Sequence, residues 1–450
     1  MYENYYFLGI GGIGMSAIAR YFKHEGKNVS GYDRTPSPLT AKLEQEGIEV
    51  HYEDRPDLIP FDIDNTFVIY TPAIPADLEE FRYVQEKGYA MCKRSKALGQ
   101  ITAGKTCLAV AGTHGKTTTS TLLSHILTNS EEGCSAFLGG ISKNYHTNLL
   151  LSHSDAVVVE ADEFDRSFLQ LHPRTAVITA VDADHLDIYG NYESVVEAFA
   201  QFASQIAPDG TLILKYGVDL PLDSVKARVY RYSFDKPCDF YASDIKHLSF
   251  GRFEFTLNHP GGRIEHCTVG IPGWVNVENA VAASAAALCH GVPAGVIKAA
   301  LASFQGVERR IDIHFSSDSH AYVDDYAHHP NEIRAAISSI RDIYPGRKIL
   351  GIFQPHLYTR TRDFADEFAA ALSGLDALIM LPIYPAREEP IEGVNSEMIL
   401  DRVTIADKVI VPKEKLMETV AARDVDVLVT FGAGDIDRFV KQFEEYMANV

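Results

Sequence analysis

The 450 residues carry 61 acidic and 41 basic side chains, which gives a formal charge of −20, and 46% of the residues are apolar. This length predicts about three domains, and the composition is that of a globular protein with several hydrophobic cores. The negative charge argues against a broad nucleic-acid or anionic-membrane surface, but it leaves room for a local basic pocket that binds a phosphorylated small molecule.

Neither the cysteines nor the N-terminus points to secretion. The six cysteines show no C-x-x-C spacing, so we expect reduced thiols rather than a zinc site or a disulfide framework. The first residues lack the basic and apolar regions of a signal peptide, and no apolar run approaches the roughly 18 residues of a membrane span. We therefore expect a cytoplasmic protein without membrane insertion.

In the first block of the chain, from about residue 5 to 97, short apolar runs alternate with helical patterns. Residues 6–9, 28–32 and 66–70 are typical of strands, and residues 14–23 are typical of a helix with one apolar face. Strand–helix–strand order with short connections predicts a parallel sheet with helices on its faces.

A second alternating block begins near residue 106. Its predicted strands are 106–110, 156–159, 175–179 and 211–214, and its predicted helices begin at Lys116 and at Tyr192. Between about 228 and 271 the runs become shorter around the turn at residues 260–262, which predicts an antiparallel insertion. Two helices are predicted between about 276 and 304.

The third block repeats the α/β alternation. Its predicted strands are 321–323, 348–353, 377–380 and 427–430. The places where the pattern restarts predict an α/β protein of three domains, which comprise residues 1–98, 99–307 and 308–450.

The first glycine-rich motif follows a predicted strand, opens a predicted helix and reads Gly9-x-Gly11-x-x-Gly14, and Asp33 closes the next strand. Such glycines let the backbone approach a diphosphate, the helix N-terminus faces its charge, and the later carboxylate suits a ribose hydroxyl. A tight turn with a purely structural role is the alternative. The motif does not identify the nucleotide, and NAD is one possibility.

A second glycine-rich motif lies between a predicted strand and a predicted helix and reads Gly112-Thr113-His114-Gly115-Lys116-Thr117-Thr118. Backbone amides of such a turn cradle phosphate oxygens, Lys116 neutralises their charge, and a threonine hydroxyl ligates Mg²⁺. It is not a strict Walker A motif, because Val110 stands where that motif has glycine. A turn with a solvated lysine is the alternative, but the strand-to-helix context favours ATP binding.

Acidic side chains follow two predicted strands of the second block. One strand is followed by Glu160-Ala161-Asp162-Glu163 and the next by Asp182-x-Asp184-His185-x-Asp187. Ligands bind at the carboxyl edge of such sheets, and carboxylates beside phosphates suit Mg²⁺. Helix capping and solvated charge are the alternative.

Histidine, tyrosine and arginine concentrate after two strands of the third block, in the runs 324–330 and 353–362. Together they are suited to orienting a carboxylate or stabilising an anionic intermediate, whereas any one of them alone is more often a solvated side chain. Just before this block, Arg309 and Arg310 are either a solvated pair or a phosphate clamp, and their place at a domain boundary favours the clamp.

In this order, the motifs resemble those of the Mur ligases over essentially the whole chain. The resemblance rests on Gly9-Ile-Gly-Gly-Ile-Gly-Met-Ser, Gly112-Thr-His-Gly-Lys-Thr-Thr, Glu160-Ala-Asp-Glu, Asp184-His-Leu-Asp, Asp324-Asp-Tyr-Ala-His-His-Pro, Phe353-Gln-Pro-His and Ile383-Tyr-Pro-Ala. It implies a Rossmann-like N-terminal domain for a UDP-sugar, a central P-loop-type ATP-binding domain, and a Rossmann-like C-terminal domain that helps to bind an amino acid.

The resemblance also implies roles for individual residues. The UDP-sugar is expected at Gly9, Gly11, Gly12, Ile13, Gly14, Asp33 and Thr71. ATP is expected at Gly112, Thr113, His114, Gly115, Lys116, Thr117, Thr118, Asn279, Arg310 and Asp324. Magnesium is expected at Thr117, Glu160 and His185, and the amino acid at Tyr326, His328 and Arg360. The expected catalytic residues are Lys116, His185, His328 and Arg360, with His328 a candidate acceptor for the amine proton.

Within the family, the resemblance favours ATP-dependent ligation of L-alanine to the muramoyl carboxylate of UDP-N-acetylmuramate through an acyl phosphate, a step of peptidoglycan precursor synthesis. One alternative is the recycling ligase that attaches L-Ala-γ-D-Glu-diaminopimelate to the same sugar nucleotide. An NAD-dependent oxidoreductase would leave Lys116 without a role, and a non-catalytic sugar-nucleotide-binding protein would bind without turnover. The expected partners are small-molecule substrates, with no nucleic acid, for a monomer or weak homodimer.

Three positions depart from the pattern usual in the family. Leu357 stands where an arginine is common, Val275 where a histidine is common, and Ala180 where an asparagine is common. These differences bear on the fine contacts, including selectivity for the amino acid, more than on the reaction.

Overall fold

A computed structural model describes residues 2–75, 77–183, 186–386 and 388–450. The chain forms two compact units. The first comprises Met1–Ser243, Thr256–Cys267 and Glu278–Gln305, and the second comprises Asp244–Phe255, Thr268–Val277 and Gly306–Val450. In the part of the chain that is described, no helix combines the length and the apolar character needed to cross a membrane.

The first sheet is parallel, and its five strands have the order β3-β2-β1-β4-β5. The strands are β1 (Asn4–Leu8), β2 (Asn28–Tyr32), β3 (Glu49–His51), β4 (Thr66–Tyr70) and β5 (Ala90–Lys93). The helices are α1 (Ile13–His24), α2 (Pro38–Gln45), α3 (Glu79–Lys87) and α4 (Arg94–Thr102). The strand order reverses between β1 and β4, and ligands of open α/β sheets bind in the crevice at such a reversal.

The second sheet has ten strands in the order β15-β14-β13-β12-β11-β10-β6-β9-β7-β8. The strands are β6 (Thr106–Ala111), β7 (Ser135–Ser142), β8 (Thr147–Leu150), β9 (Ala156–Glu160), β10 (Thr175–Ile178), β11 (Thr211–Lys215), β12 (Arg228–Ser233), β13 (Phe240–His247), β14 (Phe253–His259) and β15 (Gly262–Thr268). The helices are α5 (Lys116–Thr128), α6 (Leu186–Tyr189), α7 (Tyr192–Ser204), α8 (Trp274–His290) and α9 (Ala294–Ser303).

The expectation of an antiparallel insertion between about 228 and 271 is wrong for its first strand, β12. Strand β12 pairs parallel to β11 over its whole visible register, and its last two residues pair parallel to β13. A hairpin-type connection of two residues, Pro260 and Gly261, joins only the neighbouring strands β14 and β15. The length of a short apolar run does not determine which strand it pairs with, or in which direction, so the sequence did not reveal the parallel pairing of β12.

The third sheet has six strands in the order β16-β17-β21-β18-β19-β20, and β16 is antiparallel to β17 whereas the other pairs are parallel. The strands are β16 (Asp312–Ser316), β17 (Ala321–Asp325), β18 (Ile349–Phe353), β19 (Ala377–Met380), β20 (Asp407–Ile410) and β21 (Val427–Phe431). The helices are α10 (Pro330–Ile343), α11 (Tyr358–Asp363), α12 (Ala365–Leu372), α13 (Glu397–Leu400), α14 (Leu416–Ala421) and α15 (Val440–Asn449).

Burial on both faces explains why the central strands are continuous apolar runs. Alternate residues of β1 enter different cores: Phe7 packs with Ile69, whereas Tyr6 and Leu8 pack with Val68. Helices cover both faces of such parallel sheets. The three α/β sheets confirm the predicted fold class. The carboxyl ends of their parallel strands position the loops that carry the predicted site residues.

Candidate functional site

The first glycine-rich loop lies at the strand-order reversal of the first sheet. Gly9 follows β1 with a φ of 85°, and a Cβ there would lie 2.6 Å from Cγ2 of Thr71, which follows β4. The Gly11 amide donates a 2.7 Å hydrogen bond to Oδ2 of Asp33. The structure therefore brings together Gly9, Gly11, Asp33 and Thr71, although Asp33 already holds the loop with one of its oxygens.

The amino end of α1 completes this loop. Gly12 is the N-cap residue, Ile13 begins the helix, and no side chain in the described ranges caps it. The first amides of a helix lack partners within the helix and carry partial positive charge. This end of α1 therefore has the chemistry of an anion site for a diphosphate.

The second glycine-rich loop connects β6 to α5. Gly112 and Gly115 have φ values of 135° and 81°, which other residues rarely adopt. A Cβ at Gly112 would lie 2.1 Å from Oγ1 of Thr179, so the loop packs directly against the end of β10. Helix α5 begins at Lys116 and is another helix that no described side chain caps. The geometry fits a phosphate-binding turn.

Lys116 lies in a buried ion pair that the sequence analysis did not anticipate. Its Nζ lies 2.9 Å from Oε1 and 2.8 Å from Oε2 of Glu163, and it donates a 2.6 Å hydrogen bond to the Gly112 carbonyl. The Lys116 side chain is 14% exposed and that of Glu163 is 2% exposed. Burial opposes the charge on Lys116, but the carboxylates of Glu163, Asp162 and Glu160 outweigh it and raise the lysine pKa. Lys116 is therefore held as a cation beside the loop.

Two of the expected magnesium ligands meet beside the same loop. Thr117 Oγ1 donates a 3.1 Å hydrogen bond to Oε1 of Glu160, and a hydroxyl and a carboxylate are hard oxygen ligands of the type that Mg²⁺ prefers. His185 lies outside the described residues. Within the residues that are described, no group of three or more His, Cys, Asp or Glu side chains forms a metal cluster.

Gly139 on β7 supports the Glu160 carboxylate, a role the sequence did not suggest. The Gly139 amide donates a 3.1 Å hydrogen bond to Oε2 of Glu160. A Cβ at Gly139 would lie 2.2 to 2.3 Å from the three carboxylate atoms, closer than van der Waals contact allows. Only glycine leaves room for Glu160 at this position.

The Gly139→Ala variant is expected to need about tenfold more Mg²⁺ for half-maximal activity, because the methyl group displaces Glu160 from its place beside Thr117. Activity measured against Mg²⁺ concentration checks this. Gly295→Ala is the matched control, since a Cβ at Gly295 in α9 meets nothing within 4 Å. An unchanged Mg²⁺ dependence in Gly139→Ala would remove Glu160 from the metal site.

The remaining predicted residues of the ATP loop are also close together. Thr113 Oγ1 donates a 3.3 Å hydrogen bond to Oδ2 of Asp182, and Nε2 of His114 lies 3.3 Å from the same oxygen. A Cβ at Gly115 would lie 3.0 Å from Oδ1 of Asn279, which also accepts a hydrogen bond from Thr119. Thr118 is buried in the first turn of α5.

In the second unit, Tyr326 lies between two guanidinium groups. The guanidinium carbons of Arg309 and Arg310 are 5.2 and 5.1 Å from the centre of its ring. The ring of His328 makes an edge contact with Tyr326 at 5.1 Å, and its Nδ1 lies 3.4 Å from Oε2 of Glu332. The structure thus brings Arg310, Tyr326 and His328 together and adds Arg309 and Glu332 to them.

Asp324 is fully buried at the end of β17. Its Oδ2 accepts a 2.9 Å hydrogen bond from Nε of Arg309, and its Oδ1 accepts a 2.6 Å hydrogen bond from Oγ1 of Thr430. The next carboxyl, Asp325, accepts hydrogen bonds from the backbone amides of Ile311 and Ala327, and burial raises its pKa to about 6. Both oxygens of Asp324 already have partners in Arg309 and Thr430. A contact of Asp324 with a ribose stays a prediction.

The segment after β18 positions another group of predicted residues. The ring of His356 stacks on that of Tyr384 at 5.8 Å and lies 6.1 Å from the ring of His328. Arg360 is 93% buried in α11, with 7% of its surface exposed. Leu357 has a φ of 72°; its amide donates a 3.0 Å hydrogen bond to the Tyr384 carbonyl. This hydrogen bond to the segment around Tyr384 fixes the entry into α11.

Comparison with protein families covers most of the chain. Residues 4–106 match the Mur ligase family, catalytic domain, residues 110–287 match the Mur ligase middle domain, and residues 309–434 match the Mur ligase, glutamate ligase domain. A UDP-N-acetylmuramate–L-alanine ligase of Parabacteroides distasonis is 51% identical over 447 residues, which cover 98% of this chain and 96% of that protein. One of Porphyromonas gingivalis is 50% identical over 449 residues, with 98% of each chain covered.

Solved structures are also similar over the full length. The UDP-N-acetylmuramate-alanine ligase of Thermotoga maritima superimposes with a TM-score of 0.84 at 28% identity, covering 99% of this chain and all of that one. A murein peptide ligase of Psychrobacter arcticus superimposes with a TM-score of 0.74 at 22% identity, covering 100% of this chain and 99% of that one. At this lower identity the second likeness concerns the fold alone.

Proposed function

Because this chain belongs to the Mur ligase family, we propose that it uses ATP to join L-alanine to the muramoyl carboxylate of UDP-N-acetylmuramate. The observation that carries this function is the identity of 50 to 51% to L-alanine ligases over 98% of the chain. The half-buried Lys116 beside a phosphate-binding turn supplies the chemistry that such a ligase needs.

The reaction follows from the chemistry of its reactants. A carboxylate is a poor electrophile, so transfer of the γ-phosphoryl group of ATP to a muramoyl oxygen supplies a leaving group. The amine of L-alanine then attacks the carbonyl carbon, the C–N bond forms, and phosphate leaves with its bridging oxygen. The amine loses a proton in this step, and the products are UDP-N-acetylmuramoyl-L-alanine, ADP and phosphate.

In the second glycine-rich loop, Lys116 binds the β- and γ-phosphates, and the backbone from Gly112 to Gly115 surrounds them with amides. Thr117 and Glu160 would hold Mg²⁺, which would offset the charge that develops during transfer. His185 is the proposed ligand of a second Mg²⁺. The remaining ATP contacts are Thr113, His114, Thr118, Asn279, Arg310 and Asp324.

The first glycine-rich loop and the segments that carry Tyr326, His328 and Arg360 bind the other two substrates. The sugar nucleotide lies along Gly9, Gly11, Gly12, Ile13, Gly14, Asp33 and Thr71, with its diphosphate at the amino end of α1. The amino acid lies near Tyr326, His328 and Arg360, where the arginine binds its carboxylate. His328 is the proposed acceptor of the amine proton. Its Nδ1 donates a 3.0 Å hydrogen bond to the Tyr326 carbonyl and lies 3.4 Å from Oε2 of Glu332, so Nε2 is the nitrogen that would accept the proton.

The organisation that accompanies this function has three domains, with proposed limits at 1–98, 99–307 and 308–450. The protein acts in the cytoplasm, as a monomer or weak homodimer, on small molecules rather than nucleic acid. An oxidoreductase would leave the Lys116–Glu163 pair unexplained.

Phosphate release with MgATP and UDP-N-acetylmuramate tests the function, with L-alanine, glycine, L-serine and L-Ala-γ-D-Glu-diaminopimelate as acceptors. We expect L-alanine to stimulate release most, with UDP-N-acetylmuramoyl-L-alanine identified by its mass. Stimulation by the tripeptide alone would assign the protein to wall recycling. No stimulation by any acceptor would contradict a ligase function and leave a binding protein.

A further inference from the structure

Arg94, the first residue of α4, lies between the loop assigned to the sugar nucleotide and the loop assigned to ATP. A Cβ at Gly14 would lie 2.6 Å from Nη1 of Arg94 and 3.4 Å from its Cζ, so the guanidinium covers this glycine. The other terminal nitrogen, Nη2, lies 3.1 Å from Oδ2 of Asp162. The side chain is 20% exposed, which keeps it accessible to a bound anion.

Asp162 belongs to a strained acidic turn, residues 162–166, which also contains the carboxylate that binds Lys116. Asp165 and Arg166 have φ values of 51° and 55°, a left-handed conformation that is strained for residues other than glycine. The turn is held by the Arg94–Asp162 pair and by Lys93, whose Nζ lies 2.7 Å from Oδ2 of Asp165. Contacts from outside the turn therefore keep it in place.

One continuous set of contacts thus connects the two loops. It begins at Gly14, passes through Arg94 to Asp162, and reaches Lys116 through the neighbouring Glu163. Arginine suits this position because its planar group presents donors in two directions, so that one nitrogen can bind an anion while the other stays on a carboxylate. A lysine has the same charge but only one nitrogen, so it cannot present donors in two fixed directions.

We propose that Arg94 couples the binding of the two nucleotides. Its Nη1 binds an anionic oxygen of the sugar-nucleotide diphosphate at the amino end of α1, while Nη2 stays on Asp162. The bound diphosphate orders the guanidinium, the guanidinium steadies the acidic turn, and the turn places Glu163 and Lys116 for ATP. This inference rests on the proposed function for the identity of both ligands. Each nucleotide is then expected to strengthen the binding of the other by the same factor.

Calorimetric titration of the full-length protein with UDP-N-acetylmuramate measures this coupling, with and without Mg²⁺ and a non-hydrolysable ATP analogue. In the wild type, the analogue is expected to tighten sugar-nucleotide binding about tenfold. In Arg94→Lys and in Asp162→Asn, the ratio of the two dissociation constants is expected to approach one. Without the analogue, Asp162→Asn should still bind UDP-N-acetylmuramate within a few-fold of the wild type. The substitution leaves the loop that binds the sugar nucleotide, residues 9–14, unchanged.

The control is Arg174→Gln, which removes another arginine paired with a carboxylate, at 2.9 Å from Asp209 and on the exposed surface; the wild-type ratio should persist there. A wild-type ratio of one, or a tenfold ratio that survives in both Arg94→Lys and Asp162→Asn, would overturn the coupling. If the wild type does not bind UDP-N-acetylmuramate at all, the proposed function itself fails and this inference fails with it.

Discussion

The Lys116→Ala enzyme is expected to release phosphate at least about a hundredfold more slowly than the wild type under saturating L-alanine, UDP-N-acetylmuramate and MgATP. Lys116 Nζ lies at the amino end of α5 beside the Gly112 carbonyl, where it meets the charge that develops on the transferred phosphoryl group. Removing a fixed donor from such a position costs a factor of about 10² to 10³ in rate.

The ion pair with Glu163 adds a second effect to this variant. Glu163 is 2% exposed, and removing one partner of a buried ion pair costs about 3 to 5 kcal/mol of stability. The double variant Lys116→Met with Glu163→Gln removes both charges. It is expected to regain most of the lost melting temperature while its rate of phosphate release stays low.

Recovery of the rate in the double variant would show that Lys116 acts only through stability. Near-normal turnover in Lys116→Ala would likewise remove this lysine from the mechanism. Lys246→Ala serves as a control, because Lys246 is an exposed lysine whose Nζ lies 2.9 Å from Glu254.

The Glu80→Gln variant is expected to be more stable than the wild type at pH 8, by about 3 kcal/mol. Glu80 is fully buried in α3, where the Tyr6 hydroxyl hydrogen-bonds to Oε2 and the Arg55 amide donates a 3.1 Å hydrogen bond to Oε1. Burial raises its pKa from 4.5 to about 7, although these two hydrogen bonds act in the opposite direction. A buried cluster of Tyr6, His51 and Glu80 therefore holds a carboxyl that is neutral at acidic pH.

The protonated carboxyl fits this cluster. The Tyr6 hydroxyl donates to Oε2 of the Glu80 carboxylate. Once Glu80 is protonated, its hydroxyl can donate to the Tyr6 oxygen instead, so that the Tyr6 proton turns to Nε2 of His51 at 2.7 Å. Burial lowers the pKa of His51, which favours the neutral ring, and Nδ1 donates a 3.0 Å hydrogen bond to the Glu53 carbonyl. A glutamine at position 80 reproduces the protonated acid, with its amide nitrogen toward Tyr6 and its oxygen toward Arg55.

The sign of the pH dependence follows from the raised pKa. Between pH 4.5 and about 7 the unfolded chain releases the Glu80 proton while the folded chain retains it, so stability falls as the pH rises through this window. At about 1.4 kcal/mol for each pKa unit, the loss is complete above pH 7 and amounts to about 3 kcal/mol. The advantage of Glu80→Gln is therefore absent at pH 4 and greatest at pH 8.

Melting temperatures of the variant and the wild type, compared at each pH from 4 to 8, measure this advantage. Glu79→Gln is the control, because Glu79 is the adjacent residue and is exposed. A constant difference across the pH range would show that Glu80 does not titrate within it, and a lower melting temperature at pH 8 would reverse the proposed sign.

Elements with strong local patterns could be predicted from the sequence with little error. The predictions for β2, β4 and β19 match the structure residue for residue. Strands β4 and β19 are short apolar runs, whereas β2 is delimited by Gly26, which ends the preceding helical pattern, and by Asp33. Strand β7 was missed because Gly139 and Gly140 interrupt it, and β20 was missed because all its residues are half-buried at a sheet edge. Burial against neighbours, rather than propensity, decides such strands.

The same distinction separates the predicted from the unpredicted parts of the site. The loops around Gly11 and Lys116 carry their own signals, since each needs glycines next to a strand and a helix. Their partners do not carry such signals. Glu163 is 47 positions from Lys116, Gly139 is 21 positions from Glu160, and Arg94 is 68 positions from Asp162. Only the tertiary fold brings these pairs together. A charged residue's partner is set by the topology, and no local spacing reveals it.

The strained backbone of Leu357 connects two segments of the second unit, the start of α11 and the segment around Tyr384. A leucine with a φ of 72° is kept in that conformation by its surroundings, here by the Tyr384 carbonyl and by the Thr361 hydroxyl, which donates a 2.8 Å hydrogen bond to the Leu357 carbonyl. If either support opens, the backbone relaxes and the start of α11 loses its direction. The segments that carry His356, Arg360 and Tyr384 should therefore exchange their amide hydrogens together, as one cooperative unit of local unfolding.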